Sequence, residues 1–184
     1  MRILVMGLNY APEPVGIGPY TAGLNEALAQ RGHHVAAIVG KPYYPQWRSN
    51  PAFEGGWQRS VENGVALTRC PHYIPANPTG LRRILHLASF ALSALGPALR
   101  AALGRREQRP ELVIAIAPAL LSVVTAWLAA RLVGARLWVH LQDFEVEAAV
   151  ATGLLREQGL PARLALWVEG RILKLADKVS TISP

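Results

Sequence analysis

The sequence predicts an α/β domain in which a parallel sheet carries helices on both faces. Short apolar runs of strand length alternate along the chain with longer segments whose apolar residues recur at helical spacing. The short runs are apolar almost throughout, which indicates strands that are covered on both faces of the sheet. In such a sheet, ligands bind beyond the carboxyl ends of the strands.

Each element is predicted from its own local pattern, with glycine and proline marking the breaks. The predicted strands are Ile3 to Leu8, Val35 to Val39, Val65 to Arg69, Leu112 to Ala117, Arg136 to Leu141 and Val179 to Ile182. The predicted helices run from near Pro19 to Arg31, from Leu81 to Leu103, from Leu120 to Val133 and from Pro161 to Ala176. Residues 41–60 and 71–79 are expected to be loops.

Residues 112–130 form an uncharged stretch of nineteen positions, which is long enough to cross a membrane. Its first six residues have strand-like composition, and Pro118 would stand in the first turn of a helix. The pattern therefore favours a strand followed by a helix over a single membrane span.

Composition limits the classes of protein that the chain can belong to. Its 184 residues, of which 51% are hydrophobic, suit one folded domain, and the single cysteine, Cys70, favours a reducing compartment such as the cytoplasm. The net charge of +7 suits nucleic acid, an anionic membrane or a phosphate-bearing substrate. Nucleic acid is the least favoured, because no zinc spacing or RNA-binding aromatic signature accompanies the basic residues. No metal site is predicted, since His33 and His34 have no cysteine or carboxylate at ligand spacing.

The loop after the first predicted strand carries two glycines, Gly16 and Gly18, just before a helix. Free backbone N–H groups at the start of a helix bind anions such as phosphate. The loop does not meet the dinucleotide fingerprint, because Thr21 stands where the third glycine would fall. The alternative is a tight turn that binds no ligand.

Polar and aromatic residues gather where the predicted strands end, so the topology should bring them to one edge of the sheet. The segments concerned are Asn9 to Gly18, Lys41 to Trp47, Pro118 and His140 to Glu145.

Several motifs in these segments and elsewhere match a known pattern. They are Asn9-Tyr-x-Pro-Glu, Gly16-Ile-Gly-x-Tyr20, Gly32-His-x-Val35, Pro42 to Trp47, Leu85 to Phe90, His140-x-Gln-Asp143 and Thr181-Ile-Ser183. With these motifs the chain resembles, over its whole length, the N-terminal half of a family 4 (group 1) glycosyltransferase. The resemblance is greatest to the enzymes of colanic acid and exopolysaccharide biosynthesis.

That resemblance implies a GT-B fold, in which two Rossmann-like domains face each other across a cleft. Residues 1–184 would form the domain that mainly holds the acceptor, and the domain that binds most of the nucleotide-sugar would be absent from this chain. The implied reaction retains the anomeric configuration and uses no metal or other cofactor besides the nucleotide-sugar co-substrate. The implied acceptor is a lipid-linked oligosaccharide at the cytoplasmic side of the inner membrane. A stand-alone Rossmann-like ligand-binding module without transfer activity is the alternative.

The resemblance also implies roles for particular residues. Gly16 and Gly18 would approach the donor phosphates, Asp143 and His140 would be catalytic, and Glu13, Tyr43, Tyr44 and Trp47 would bind the acceptor. Glu145 and Glu147 could line the same cleft. Each assignment has a structural alternative: a turn, a helix cap, a core histidine, solvated carboxylates or a loop packed by its own aromatic rings.

The apolar segment from Leu81 to Leu103 lies between Arg82 and Arg83 on one side and Arg100, Arg105 and Arg106 on the other. Such a helix could lie on an anionic membrane surface with its arginines on the head groups. It could equally be a core helix, because its apolar residues exceed one narrow stripe.

Overall fold

The computed structural model describes residues 1–143 and 159–182 of the chain. In that part, seven strands form one sheet: β1 (Arg2–Gly7), β2 (His34–Gly40), β3 (Gln58–Glu62), β4 (Val65–Cys70), β5 (Leu112–Ala117), β6 (Arg136–Leu141) and β7 (Lys178–Thr181). The α-helices are α1 (Ile17–Gln30), α2 (Gly80–Leu103), α3 (Leu120–Val133) and α4 (Leu160–Leu173). Short 3₁₀ turns lie at Pro51–Phe53 and Arg106–Gln108.

The strand order is β3-β4-β2-β1-β5-β6-β7, and all neighbours are parallel except β3 and β4. The chain builds outward from β1 to β2 and β4, and then returns to place β5 on the other side of β1. This reversal leaves a crevice beyond the carboxyl ends of β1 and β5, which is where ligands bind in open α/β sheets.

Helices cover both faces of the sheet, so the predicted doubly wound α/β class is confirmed. Leu4 and Met6 of β1 belong to the core under α2 and α3, to which Ile172 of α4 also contributes. Ile3 and Val5 belong to the core under α1. The uncharged stretch at residues 112–130 is accordingly β5 followed by most of α3, as predicted.

Strand β3 was not predicted, because residues 41–60 were expected to be loop throughout. Its sequence is Gln-Arg-Ser-Val-Glu, which lies at the sheet edge, largely exposed, and therefore carries no apolar run. The signal that was available is the Asn63–Gly64 pair that joins β3 to β4. Both residues have positive φ, 49° and 83°, as tight hairpin turns require.

Helix α2 buries mostly alanines, together with Phe90 and His86, and exposes several leucines. Its core side consists of Phe90, Ala91, Ala94, Ala98 and Ala102, together with His86 near the amino end. Helix α3 also buries small residues, and Thr125 of α3 donates its hydroxyl to the carbonyl of Ala91 at 3.0 Å. The two helices thus pack closely on short side chains, and leucines such as Leu92, which is 72% exposed, remain on the outside.

Pro97 lies inside α2 without ending the helix. It has no N–H to donate to the carbonyl of Ser93 one turn earlier. Trp57 supplies the missing donor, because its indole Nε1–H bonds to that carbonyl at 3.0 Å. The segment before β3 is thereby attached to the middle of α2.

Candidate functional site

A pocket of about 220 Å³ lies beyond the carboxyl ends of β1 and β5, in the crevice that the strand order creates. It is lined by Leu8, Asn9, Gly16, Ile17, Tyr43, Tyr44, Trp47, Arg83, His86, Leu87, Pro118 and Asp143. Five residues predicted from sequence, Gly16, Tyr43, Tyr44, Trp47 and Asp143, therefore lie together. A larger cavity of about 410 Å³ is at the opposite end of the sheet and contains none of the predicted residues.

The glycine loop forms one wall of this pocket. Gly16 directly precedes α1 and has φ 72°, a conformation that other residues rarely adopt. The helix begins at Ile17, earlier than the predicted start near Pro19, so Gly18 stands in its first turn instead of the loop. That turn has neither a side-chain cap nor an acidic residue among the described residues. Its N–H groups can therefore receive an anion.

Glu13 lies beneath this wall and is only 4% exposed. Its Oε1 accepts hydrogen bonds from the backbone N–H groups of Tyr43 and Tyr44, both at 3.0 Å, and its Oε2 accepts one from Asn9 Nδ2 at 2.9 Å. Burial raises the pKa of this carboxyl, while the hydrogen bonds oppose the shift. Glu13 was expected to bind the acceptor directly; its burial and partners favour a role in holding the two loops together.

Gly18 makes the burial of Glu13 possible. A Cβ at this position would lie 2.9 Å from Cβ of Glu13, closer than real contacts allow, and 3.2 Å from the carbonyl oxygen of Tyr10, which is tighter than most. Gly18 therefore packs against the loop, whereas Gly16 lines the pocket.

Aromatic rings form the second wall. The Tyr43 ring lies 5.1 Å from the Trp47 ring and 4.6 Å from the His86 ring, centre to centre, in edge-to-face arrangements. The Tyr43 side chain is buried, and Tyr44 presents part of its ring to solvent beside Gly16. The loop is thus packed by its own aromatics, and it also lines the pocket; acceptor binding by these rings stays a prediction.

Helix α2 brings Arg83, His86 and Leu87 to the pocket, and none of them was predicted as a site residue. The Arg83 guanidinium lies 5.9 Å from the centre of the Trp47 ring, within cation–π range. Asn9, which joins Glu13 to the hydroxyl of Tyr43, was also missed. The available signals were the motif that opens with Asn9 and the motif from Leu85 to Phe90.

His140, predicted as catalytic, does not line this pocket. Trp138 donates its indole N–H to Ser180 Oγ at 2.8 Å, and the Ser180 hydroxyl lies 2.9 Å from Nδ1 of His140. Because the Ser180 oxygen accepts from Trp138, its own proton is available for Nδ1. Burial lowers the pKa of His140. Glu145 and Glu147 lie outside the described residues, within which no three metal-binding side chains cluster.

Comparison with known proteins identifies the class to which this fold and site belong. Residues 15–184 match the model of the glycosyl transferase 4-like domain, and the chain belongs to that family, as the sequence motifs predict. An Escherichia coli (strain K12) protein described as a putative colanic acid biosynthesis glycosyl transferase, WcaI, is 42% identical over 186 residues. The match covers 100% of this chain and 44% of WcaI, so the chain spans less than half the length of that relative.

A solved structure shares the fold. The Arabidopsis thaliana protein UGT89C1, crystallised with UDP, superposes with a TM-score of 0.54 over 98% of this chain and 44% of its own length. The two sequences are 9% identical, so this likeness concerns the fold alone.

Proposed function

We propose that this chain is the mainly acceptor-binding domain of a retaining glycosyltransferase. The enzyme would move a sugar from a nucleotide-sugar to a lipid-linked exopolysaccharide acceptor at the cytoplasmic face of the inner membrane. Family membership and 42% identity to WcaI support sugar transfer. Because the chain spans 44% of that relative, the proposal assigns most of the donor site to a second domain outside residues 1–184.

The observation that carries the proposal is the position of α2, which joins the pocket to an exposed apolar surface. Arg83, His86 and Leu87 line the pocket, while Leu81, Ile84 and Leu85 in the same two turns are more than half exposed. A lipid-linked sugar has a polar head and a long apolar tail. A pocket that holds a few polar groups and continues into an apolar helix surface suits both parts of such a molecule.

The apolar surface continues along the whole helix. Its leucine stripe consists of the exposed Leu81, Leu85, Leu92 and Leu103, bordered by the half-buried Leu95 and Leu99, at helical spacing. In the described part of the chain, α2 is the one helix that is long and apolar enough to cross a membrane. Only 22% of its most apolar stretch is buried, so most of that stretch is available for contact with a membrane. Since its other side packs on α3, the proposal is peripheral contact with the membrane surface.

Basic residues accompany the stripe. Arg82 and Arg100 are exposed on α2, and Arg105 and Arg106 follow its end. Beside Pro97, a shallow cavity of about 540 Å³ is lined by the exposed Trp57, Arg59 and Arg100. Arginines beside an apolar stripe, with a tryptophan at the same level, match the charge and polarity profile of an anionic membrane surface.

Within the pocket, the proposed chemistry follows from the groups present. The exposed Asp143 carboxylate would orient the acceptor hydroxyl or stabilise positive charge that develops on the transferred sugar. Gly16 and the first turn of α1 would receive donor phosphate, with Gly18 supporting that turn. Tyr44 and Trp47 would contact the acceptor, and Tyr43 and Glu13 would hold them in place. The catalytic role predicted for His140, which lies outside this pocket, stays a prediction.

The test uses the complete gene product that contains this chain, with labelled nucleotide-sugars and membranes that supply lipid-linked oligosaccharide. Label should enter the lipid fraction.

Asp143→Ala should lower turnover at least tenfold with unchanged folding. Asp177→Ala is the control: Asp177 accepts the N–H of Leu137 at 2.7 Å, so loss of this hydrogen bond should lower stability and leave turnover intact. The isolated chain should show no transfer. Ligand binding without transfer in the complete product would favour the binding-module alternative.

A further inference from the structure

His86 is a buried imidazole in which one ring nitrogen is hydrogen-bonded and the other has no partner among the described residues. The side chain is 2% exposed, and its Nδ1 lies within hydrogen-bond distance of the Tyr73 carbonyl oxygen. A carbonyl can only accept, so Nδ1 carries the proton and Nε2 presents a lone pair. Nε2 is buried and has no hydrogen-bond partner among the described residues.

The surroundings of His86 keep this ring neutral. It is enclosed by the rings of Tyr43, Trp47 and His72, at 4.6, 5.3 and 5.0 Å between centres, and Arg83 lies one turn earlier on α2. Burial lowers the pKa of His86, the hydrogen bond to the Tyr73 carbonyl opposes this shift, and the positive charge of Arg83 lowers the pKa further. A neutral ring in this tautomer accepts a hydrogen bond at Nε2 and cannot donate one there.

His86 also lines the pocket, with Asn9 and Asp143 among the other residues of the lining. A buried acceptor without a donor is unfavourable, so each one in a folded protein calls for an explanation, and ligand binding is one such explanation. A phosphate or carboxylate group has no proton to give at neutral pH, whereas a sugar hydroxyl has one. The group that suits Nε2 is therefore an O–H donor.

We propose that His86 binds the acceptor sugar: a small shift of the surrounding rings exposes the buried Nε2, which then accepts a hydrogen bond from a sugar hydroxyl in the pocket. The inference rests on the proposed function, because it requires a sugar at this site. It gives the motif from Leu85 to Phe90 a function beyond its place in an apolar helix. It also makes α2 the source of both the polar contact with the sugar and the apolar surface for the lipid.

The kinetic test compares two histidines of the same aromatic cluster in the complete gene product. His86→Phe keeps a ring and removes the acceptor nitrogen; it should raise the KM for the acceptor at least tenfold and leave the KM for the donor unchanged. His86→Gln, which restores an acceptor atom, should recover part of the loss. His72→Phe is the matched control, since His72 is half-buried in the cluster and its buried Nε2 is also unpartnered among the described residues, but it does not line the pocket.

Equal effects of His86→Phe and His72→Phe on the acceptor KM would mean that both rings serve packing, and would overturn the inference. So would a change confined to the donor KM. Loss of transfer in the wild-type protein would be a failure of the proposed function, and it is detected separately in the same assay.

A binding measurement decides the inference without any activity. The chain with ¹⁵N-labelled histidine and tryptophan is titrated with the methyl glycosides of glucose, galactose and fucose, and the resonances of His86 Nε2 and the Trp47 indole are followed by NMR. A shift of that resonance to lower frequency, as for a lone pair that receives a hydrogen bond, is the expected result. If the Trp47 indole signal responds to a glycoside and His86 Nε2 does not, sugar binding stands and the inference fails. If no glycoside moves either signal, the inference fails as well.

Discussion

One carboxylate oxygen of Glu13 accepts the backbone N–H of Tyr43 at 3.0 Å and so ties the loop after β1 to the loop after β2. The same oxygen also accepts the N–H of Tyr44. The glycine wall and the aromatic wall of the pocket therefore share one buried carboxylate. Glu13 should influence both walls without touching the acceptor, and its titration should be visible in the stability of the fold.

Stability is expected to fall with rising pH through Glu13. Its folded pKa lies above the ordinary value of 4.5, because burial outweighs the hydrogen bonds. Between 4.5 and the folded pKa, the folded protein binds more protons than the unfolded chain, so raising the pH through that window favours unfolding. The free energy of unfolding of the wild type minus that of Glu13→Gln should therefore decrease as pH rises from 4.5, and then level off. Urea unfolding, monitored by tryptophan fluorescence at each pH, measures this difference in the free energy of unfolding.

Glu111 provides the control with the opposite sign. The backbone N–H of Arg2 bonds to its carboxylate at 2.8 Å and lowers the pKa of Glu111 below 4.5. Its contribution is present above the unfolded pKa and is lost as pH falls through the folded pKa. The corresponding difference for Glu111→Gln should decrease toward acid. The assignment of the Glu13 shift is wrong if both differences move in the same direction with pH.

Three glycines near the pocket should respond differently to alanine. Gly18→Ala should destabilise by about 1–3 kcal/mol, because its Cβ would meet Glu13 and the Tyr10 carbonyl. Gly16→Ala should also destabilise, since φ is 72° and Tyr44 lies 3.3 Å from the new Cβ. Gly23→Ala is the control: Gly23 is exposed inside α1 with nothing within 4 Å, so alanine should stabilise by about 0.5–1 kcal/mol. Chemical denaturation ranks the three, and a neutral Gly18→Ala would refute the close packing.

Trp57 and Pro97 should be energetically coupled. Trp57→Phe removes the donor to the Ser93 carbonyl and should cost about 1 kcal/mol beyond any loss of packing. In a Pro97→Ala background, the new backbone N–H can bond to that carbonyl, so the same Trp57 substitution should cost less. A double-mutant cycle in urea isolates the coupling, which should be about 1 kcal/mol. An equal cost of Trp57→Phe in both backgrounds would mean that the indole hydrogen bond contributes nothing.

Elements with strong local signals were predictable from the sequence. Helix α3 begins and ends as predicted, with Gly134 in the left-handed conformation just after it, because apolar spacing and a terminating glycine are contained within one segment. The pocket was predicted in outline, since strand topology brings the loop after β1 and Asp143 to the same edge.

The rest depended on contacts between distant segments. The Tyr73 carbonyl fixes which nitrogen of His86 carries the proton, and the ring of Tyr43, on another loop, packs against the imidazole. Neither contact can be read from the helical spacing around His86. Hydrophobicity alone would bury the leucines of α2, whereas close packing on α3 buries its alanines instead. Glu13 seemed a surface ligand until the fold placed two backbone N–H groups beside it.

The exposed stripe of α2 should bind anionic vesicles in a salt-sensitive way. Arg82→Gln with Arg100→Gln removes two charges beside the stripe; at about 1 kcal/mol each, this should weaken binding roughly thirtyfold. Leu92→Gln should weaken it further by placing an amide in the apolar stripe. Co-sedimentation with phosphatidylglycerol-containing and purely zwitterionic vesicles, at low and high salt, measures the effect.

The control variants carry the same types of substitution at exposed positions outside α2. Arg31→Gln with Arg136→Gln removes two exposed charges away from α2, and Val61→Gln alters an exposed apolar residue on β3. These variants should bind like the wild type if the orientation of α2 decides binding, because charges beyond a Debye length of about 10 Å from the surface are screened. Equal weakening by both arginine pairs would indicate that net charge alone draws the protein to the vesicle. Binding that ignores salt and all of these substitutions would exclude α2 as the membrane-facing element.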